Sequence, residues 1–324
     1  MAYATTTQHP VNTSFQPVYA AGWEEILYKN YWLGMTIGGR PLFEPHAMNG
    51  DNNYRWKVHV SGGTPTTYSE GDAAAAPGVQ LYVNAAVAAV YFTQTVRISG
   101  HLRDAARGAA LYTGLPIIDQ EFTLAMEDMR DLIGTTFLGA TNSGLEVAVD
   151  SGTAYAGLNR ATYTNWGATE TALSGALSRT HLIDQMEFAR DNEKGSAMGR
   201  SGNGLILAPV NQLSNYIRLT GEVGGTTPGI RFEAGLFPNG FDVSPAFDGL
   251  RLMGVPMVGI PDMLDTIIVG MDTRPGKNLL CTCRDFTVRG PVIMGDDDEY
   301  YITWAGMIVD KNPRFDWKST GVTA

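Results

Sequence analysis

Apolar residues recur at helical spacing through residues 115–138. They follow one another at steps of 4, 3, 4, 4 and 4, which is the period of a single buried helix face. The members of this stripe are Ile118, Phe122, Ala125, Met129, Ile133 and Phe137. Pro116 suits the first turn of a helix and Gly139 suits its C-cap. At 1.5 Å per residue such a helix is about 36 Å long. A helix of this length, in a chain that also carries strand-like segments, predicts an α+β fold.

The other faces of this helix are acidic. They carry Asp119, Glu121, Glu127, Asp128 and Asp131, while Arg130 is the only basic residue nearby and no histidine lies on the helix. Paired carboxylates would suit a catalytic or metal-binding face, but a solvated acidic face is the far commoner reason for such a pattern. The second interpretation is preferred.

Two strand-like segments, 54–60 and 79–98, lie on either side of a glycine- and proline-rich stretch. Their apolar and polar residues alternate over much of their length, as strands require. The stretch between them, residues 62–78, contains four glycines and two prolines and predicts a loop. The simplest account is a long projecting hairpin. An isolated two-stranded hairpin is marginally stable in water, so this one predicts packing against a neighbouring body.

Residues 1–49 predict an extended arm with a short helix at 23–33. The helix is aromatic, with Trp23, Tyr28, Tyr31 and Trp32, and an arm of this kind has no core of its own. These aromatic side chains are expected to be buried against another body or another copy of the chain. The alternative is an arm folded back on its own domain.

The second half of the chain alternates between helices and strands. A helix is predicted at about 180–191, a buried strand at 204–209 and a helix at 210–217. Strand patterns follow at 250–258, 266–270, 279–288 and 299–309. Because the last strands need earlier partners, the domains are expected to be discontinuous in sequence.

Charge and cysteine content exclude some classes of protein. The 23 basic and 33 acidic residues give a net charge of −10, opposite to the basic footprint of a nucleic-acid-binding protein. Cys281 and Cys283 form a C-x-C pair, whose adjacent geometry rarely favours a disulfide, so both are expected to be reduced. The first ten residues lack the pattern of a secretion signal, and no window of 18 apolar residues occurs. A protein made in a reducing cytoplasm, without a membrane span, is expected.

Motifs for catalysis, cofactors and metals are weak. Residues 270–278 (GMDTRPGKN) are similar to a phosphate loop, but the glycine spacing is wrong and Asn278 stands where Ser or Thr would bind magnesium. The five histidines lack ligand spacing. Residues 296–299 (DDDE) could hold calcium, but they lack the order of an EF-hand and predict a solvated turn. No catalytic, cofactor-binding or metal-binding residue is assigned, and an enzyme is not expected.

Several segments in a particular order carry a resemblance to a known family. They are YSEGD at 68–72, VRIS at 96–99, GLNR at 157–160 with Trp166, GLILAP at 204–209, GVPMV at 254–258 and IIVG at 267–270. With the arm, hairpin and long helix, the chain resembles the tailed-phage major capsid proteins of the Hong Kong 97 fold over nearly its whole length. The resemblance implies an N-arm at 1–49, an E-loop hairpin at 50–98 and a P-domain at 99–179 that includes a spine helix at 115–138. It further implies an A-domain at 180–276, and returning strands at 277–324 that complete the A- and P-domains.

The same resemblance implies a function and partners. The protein would assemble as hexamers and pentamers into an icosahedral shell that encloses double-stranded DNA without sequence-specific contacts, in a virion assembled in the host cytoplasm. A portal protein and a possible decoration protein would be further partners, with no membrane contact. Because the arm starts close to Met1, a separate scaffolding protein is expected. Lys57, the only lysine of the hairpin, is far from its tip, so the shell is expected to lock without covalent cross-links.

Seven residues are candidates for contacts between subunits. They are Trp23, Tyr28, Tyr31 and Trp32 of the arm, and Tyr68, Glu70 and Asp72 at the hairpin tip. Glu70 and Asp72 could equally be an exposed acidic turn. The alternatives for the whole chain are an encapsulin-like compartment shell, a β-rich cytosolic hydrolase with a convergent acid/base pair, and a tail-tube protein. The last is disfavoured because it would not need a helix of this length.

Overall fold

A computed structural model describes residues 31–37, 40–48, 51–61, 81–101, 114–140, 144–192, 204–221, 251–252 and 255–323. These residues form two compact units, each assembled from separate stretches of the chain. The first unit takes described residues from 1–52, 89–137 and 280–307. The second takes them from 53–88, 138–279 and 308–324. Discontinuous domains were expected from the sequence; the particular boundaries predicted there stay predictions.

The first unit is built on a four-stranded sheet. It begins with a short helix α1 (Tyr31–Gly34) and the strands β1 (Thr36–Ile37), β2 (Arg40–Pro41) and β3 (Glu44–Ala47). The strands β4 (Asn53–Ser61) and β5 (Leu81–Ala88) belong to the second unit, and the chain returns with β6 (Val90–Ile98). The order in the sheet is β3, β12, β13, β6, where β12 is Asn278–Met294 and β13 is Asp297–Asp310.

A helix of 25 residues, α2 (Gly114–Leu138), packs on this sheet. The helix predicted for 115–138 therefore differs from the observed one by a single residue. Phe122 meets Tyr300 edge to face with ring centroids 5.2 Å apart, and Phe137 contacts Phe92 and Trp304 at 5.9 and 6.0 Å. The predicted stripe is buried from Phe122 onward. Burial of these large rings is what fixes the helix on the sheet.

The structure divides the segment 79–98, which the sequence analysis assigned to one strand of the hairpin. Antiparallel pairing joins β4 only to β5, from Asn53 opposite Ala88 to Ser61 opposite Leu81. After Ala89 the chain enters β6, which pairs with β13 in the first unit. The described strands of the hairpin are therefore 53–61 and 81–88, and residues 90–98 pair outside it. The reason is that Val90–Ile98 buries its apolar residues under α2, whereas β5 buries its own against β4 and the second unit.

The second unit is built on a six-stranded mixed sheet. In chain order it contains α3 (Leu145–Ala148), β7 (Thr169–Ala176), α4 (Arg179–Asn192), β8 (Gly204–Pro209) and α5 (Val210–Gly221). The strands β9 (Arg251–Leu252), β10 (Val255–Ile260), β11 (Ile268–Asp272) and β14 (Trp317–Thr323) complete it. The sheet order is β7, β14, β11, β8, β10, β9. The helices predicted at 180–191 and 210–217 and the buried strand at 204–209 are confirmed.

Two helices cover a shared apolar core on this sheet. Leu182 and Met186 of α4 and Leu213 of α5 are fully buried against sheet residues that include Ile206 and Trp317. Strand β8 is buried along its entire length, which agrees with its unbroken apolar sequence. Among the described residues, no helix is long and apolar enough to cross a membrane.

A buried ionic cluster joins the ends of β11, β12, β13 and β14. Lys277, just before β12, contacts Asp316 just before β14 and lies 3.5 Å from Asp310 at the end of β13. Asp316 also accepts a hydrogen bond from the backbone N–H of Asp272, 2.7 Å away, at the end of β11. Segment 270–278 thus contains the end of β11, the turn at 273–277 and the first residue of β12, and its lysine belongs to this ionic cluster.

Candidate assembly surface

An aromatic contact attaches the β4–β5 hairpin to the second unit. Trp56 of β4 lies against Trp166, with ring centroids 6.2 Å apart, and its Nε1–H donates to the carbonyl oxygen of Lys311 at 3.3 Å. Tyr54 lies beside Trp56 and under the ammonium group of Lys311. On the other strand, the backbone N–H of Ala86 donates to the carbonyl oxygen of Ala156 at 3.0 Å. The hairpin is therefore held at its base.

The turn that receives the hairpin is ordered by a buried arginine. Arg160 donates from Nη1 to the carbonyl oxygen of Asp150 and from Nη2 to that of Ala148, and its guanidinium lies over the Tyr155 ring. Tyr155 in turn stacks on Trp166 at 6.2 Å, and its hydroxyl accepts from the backbone N–H of Asp310. The GLNR segment singled out in the sequence therefore has a structural role: it builds the platform under Trp56.

The two faces of the hairpin differ in composition. The face toward the body is apolar and at least half-buried, through Tyr54, Trp56, Val58, Val83 and Val87. The opposite face is exposed. On it the register places Arg55 across from Ala86, Lys57 across from Asn84 and His59 across from Tyr82. We call Arg55, Lys57 and His59 the basic row.

The exposed side of α2 carries carboxylates and two leucines. Because successive residues are rotated by about 100° about a helix axis, the residues on this side, named below, fall within one sector about 100° wide. Leu124 and Leu132 are 47% and 52% exposed there, although other large apolar side chains of this helix, such as Phe122 and Ile133, are buried on the opposite face. The exposed residues, which we call the acidic stripe, are Glu121, Leu124, Asp128, Asp131, Leu132 and Thr135.

A second exposed apolar patch lies at the far end of the β12–β13 hairpin. Ile293 is 73% exposed and Val292 is 45% exposed, and both precede the turn at Gly295 and Asp296. On the neighbouring strand, Arg97 bonds Asp297 at 2.5 Å and so ties β6 to this end of the sheet. The turn predicted at 296–299 is shorter in the structure: Asp296 lies in it, whereas residues 297–299 begin β13 and are partly buried.

The seven residues predicted for subunit contacts are mostly outside the described part of the chain. Trp23, Tyr28, Tyr68, Glu70 and Asp72 all lie there. The backbone of Tyr31 starts α1, and its side chain is not described. Trp32 is 1% exposed and meets Phe43 edge to face at 5.7 Å. The Trp32 side chain is thus buried within its own chain, and the assignment of all seven residues to subunit contacts stays a prediction.

Among the described residues, His181 and Ser319 form a pair of a kind used in catalysis, but the pair is buried. His181 contacts the hydroxyl of Ser319 at 3.0 Å, and burial lowers the pKa of this histidine. The pair lies between α4 and β14, where Ser319 is fully buried, so a substrate would not reach the hydroxyl. Within the described ranges, no group of three or more His, Cys, Asp or Glu side chains is arranged to hold a metal ion.

Comparison with known proteins finds matches by structure but not by sequence. No family model matches the sequence, and no curated protein matches it. Solved structures do match. The capsid of cyanophage A-1(L) superposes with a TM-score of 0.68 and 14% identity, covering 87% of this chain and 92% of that one. The capsid of the Myoviridae phage XM1 has a TM-score of 0.59 and 11% identity, covering 87% and 90%. The SrpI encapsulin of Synechococcus elongatus has a TM-score of 0.56 and 12% identity, covering 86% and 85%.

The fold is therefore that of the shell proteins of phage capsids and encapsulins. It is the α+β fold that the sequence resemblance implied, the Hong Kong 97-like capsid fold, and it extends over most of the chain. At identities of 11% to 14%, these likenesses establish the fold.

The residues that the sequence analysis missed are the basic row and the two leucines of the acidic stripe. Arg55, Lys57 and His59 alternate with apolar residues in β4, so the strand pattern itself places them on one face. Leu124 and Leu132 interrupt the polar side of the helix pattern at a spacing of eight residues. Both features could have been found from the periodicity alone.

Proposed function

We propose that this protein is a major capsid protein that assembles with copies of itself into a closed icosahedral shell. The observation that carries the proposal is the match to the cyanophage capsid chain over 87% of this protein and 92% of that one. A closed shell repeats heterologous contacts around its symmetry axes. A hairpin that is held at its base, with an exposed outer face on its described strands, is the kind of element that supplies such contacts.

The shell would be built from hexamers and pentamers and would enclose double-stranded DNA, as the sequence resemblance implies. The net charge of −10 argues against tight binding of the genome by the subunit itself. A scaffolding protein, a portal protein and a decoration protein are further partners under this proposal. Assembly takes place in the host cytoplasm, the shell stays in the virion, and the subunit has a structural and not an enzymatic role.

Electron microscopy with light scattering tests this proposal. The purified recombinant chain is examined with and without co-expressed candidate scaffolding proteins. Closed shells, or rings of five and six subunits, are expected. A monodisperse monomer under every condition would refute the proposal and return attention to an enzymatic function.

The likeness to the SrpI encapsulin supports a second candidate, a compartment shell for cargo protein. The contents of purified shells distinguish the two. Shells that package nuclease-protected DNA in the presence of a packaging machinery support the phage function. Shells that co-purify with one enzyme, and exclude DNA, support the compartment.

A further inference from the structure

We propose that Lys277 and Asp316 join through an isopeptide bond within one subunit, with Asp310 as the group that carries the proton. The bond links Nζ of Lys277 to Cγ of Asp316 and releases one water molecule. It ties the start of β12 to the start of β14 and adds no covalent link between subunits. The inference goes beyond the proposed function, because it concerns the chemistry of a single chain.

The two reacting groups are already in contact. Nζ of Lys277 lies 2.5 and 2.6 Å from the two carboxylate oxygens of Asp316. The backbone N–H of Asp272 donates to the same carboxylate at 2.7 Å and so holds it in place. Groups that a fold keeps in contact react as though they were at very high concentration, which removes much of the barrier to bond formation.

A second carboxyl group lies beside the pair. Asp310 is 3.5 Å from the ammonium group of Lys277 and is hydrogen-bonded to the carboxyl of Asp316. Two carboxyl groups form a hydrogen bond only when one of them holds a proton. Burial and the charge of Asp310 raise the pKa of Asp316 well above its usual range, so this proton belongs to Asp316. The protonated acid is the form whose hydroxyl group leaves as water when an amine attacks.

The site is closed to solvent. Lys277, Asp310 and Asp316 are 5%, 3% and 1% exposed. Charges are costly in such a place, and the reaction replaces an ammonium and a carboxylate by uncharged groups. Exclusion of water also protects the finished amide from hydrolysis.

The reaction balances without any other reagent. Asp310 takes one proton from the ammonium group of Lys277, and the Asp316 carboxyl turns about its Cβ–Cγ bond so that Cγ faces the free amine. The nitrogen lone pair forms the C–N bond, and a C–O bond of Asp316 breaks. The hydroxyl group leaves as water with a second proton from the nitrogen. The amide keeps the third proton, and Asp310 ends as a neutral carboxyl group.

The carboxylates that hold the lysine also make the reaction slow. Burial lowers the pKa of Lys277, but Asp310, Asp316 and Asp272 raise it by more, so the free amine is rare. Freshly purified subunits are therefore expected to contain mainly the ion pair. The bond is expected to accumulate over days.

A second buried lysine provides a comparison within the same chain. Lys318 lies 3.8 Å from Asp150 and 3.6 Å from Glu170, beyond hydrogen-bond distance. Both of these carboxylates are partly exposed to solvent, at 19% and 25%. Without close contact or full burial, no bond is expected at Lys318.

The bond has a structural consequence. It closes a loop of the chain across 39 positions, between two strands that unfolding separates. Closing a loop of this length restricts the unfolded chain and so favours the folded state. An amide is not reduced by thiols, in contrast to a disulfide, and Cys281 and Cys283 are both free.

Intact mass spectrometry of the full-length chain tests the inference. One sample is kept folded for days, and a matched sample is kept unfolded in guanidinium chloride. The folded sample is expected to gain a species lighter by one water molecule. A branched tryptic peptide that joins residue 277 to residue 316 is expected from the same sample, and neither product from the unfolded one. Absence of the lighter species from the folded sample overturns the inference.

The peptide map separates this bond from another loss of water. An aspartate that precedes a glycine, as Asp248 precedes Gly249, also loses water when it forms a cyclic imide. Water loss that maps to residues 248–249, or to Lys318, and not to Lys277, overturns the inference.

Two variants test the roles of the residues, after circular dichroism has shown that each is folded. Lys277→Arg keeps the positive charge but removes the primary amine, and the mass loss should disappear. Lys57→Arg is the matched control at an exposed lysine and should leave the mass loss unchanged. Asp310→Asn should slow the reaction by about 100-fold or more, because an amide does not take the proton. Mass loss that persists in Lys277→Arg, or an unchanged rate in Asp310→Asn, contradicts the proposal.

The wild-type measurement is decisive even where a variant does not fold. It is also independent of the proposed function, because the mass of the chain is measured in the same way for unassembled subunits and for shells. A chain that forms the bond but no shells refutes the proposed function alone. A chain that forms shells without the bond refutes this inference alone.

Discussion

The ammonium group of Lys277 lies 2.5 and 2.6 Å from the two carboxylate oxygens of Asp316, and both side chains are closed off from solvent. Asp310 lies near the same ammonium group, so one lysine forms ion pairs with two buried carboxylates. Burial alone would lower the pKa of Lys277, but Asp310, Asp316 and Asp272 outweigh it and raise this pKa. The lysine therefore stays charged in the fold, at the point where four strand ends meet.

Lys277→Met should destabilise the second unit by about 3–5 kcal/mol, because it leaves buried carboxylates without their cation. Urea unfolding of unassembled subunits at neutral pH measures this. Lys277→Met/Asp316→Asn should recover much of the loss, since an asparagine oxygen can still accept from the Asp272 N–H. Lys57→Met, at an exposed lysine, serves as the control and should change the free energy of unfolding by less than about 0.5 kcal/mol. Equal effects at the two lysines would show that the cluster adds no stability.

The ionised side chain of Asp150 is expected to stabilise the fold, and this contribution should be lost in acid. Burial alone would raise the pKa of Asp150, but hydrogen bonds from Thr153 and Gly152, and the charge of Lys318, hold this pKa well below its usual range. Because the folded state depresses this pKa, its contribution is present above the ordinary value of 3.8 and disappears as the pH falls through the folded value.

Asp150→Asn removes this contribution. Wild type and variant should therefore differ most in unfolding midpoint near pH 6, and the difference should shrink as the pH falls below about 4. Urea midpoints of both proteins across this range provide the measurement. A difference that stays constant with pH would mean that the carboxylate charge of Asp150 contributes nothing.

Gly270 makes room for a buried tryptophan. It stands opposite Trp317 in the β11–β14 pairing, and a Cβ at this position would overlap the indole ring. Gly270→Ala should cost about 1–3 kcal/mol through overpacking, with part of the loss recovered in Gly270→Ala/Trp317→Leu. Gly152→Ala is the control, because a Cβ there meets nothing within 4 Å. Chemical unfolding of the three variants provides the test, and a neutral Gly270→Ala would contradict the packing described here.

The long helix was predictable because its evidence is local. A stripe of six apolar residues with one period, a proline at its start and a glycine after its end require no knowledge of distant partners. The buried strand at 204–209 and the helices beside it follow from the same kind of pattern. These elements, taken in order, also carried the resemblance that implied the fold.

Segment 79–98 was predicted as one strand, although its sequence pattern shows where β5 ends and β6 begins. Val83 and Val87 occupy odd positions of the alternation, whereas Val90, Phe92 and Val96 occupy even ones. The buried face therefore changes sides at Ala88 and Ala89, where the chain leaves the hairpin for another sheet. A shift of one residue in a strand pattern moves every side chain to the opposite face, and here it marks the end of a strand.

The ionic cluster was not predictable from sequence. Lys277, Asp310 and Asp316 are separated by up to 39 residues, and only the return of β14 beside β11 brings them together. The local sequence around this lysine is similar to a phosphate loop, which the glycine spacing excludes, and nothing in it indicates a buried ion pair. Which carboxylate a buried lysine will meet depends on the tertiary fold, which periodicity does not encode.

The hairpin should detach without unfolding the rest when its aromatic anchor is removed. Trp56 is half-buried on Trp166 and Lys311, so Trp56→Ala should cost about 2 kcal/mol, less than for a fully buried tryptophan. That loss corresponds to roughly 30-fold faster amide hydrogen exchange in 81–88, measured by mass spectrometry, if the hairpin opens locally. Trp56→Phe keeps a ring on Trp166 and should have a smaller effect. Exchange in α2 should not change, because that helix is held by Phe122 and Phe137 in the other unit. Equal acceleration in both places would mean that the hairpin opens only when the whole chain unfolds.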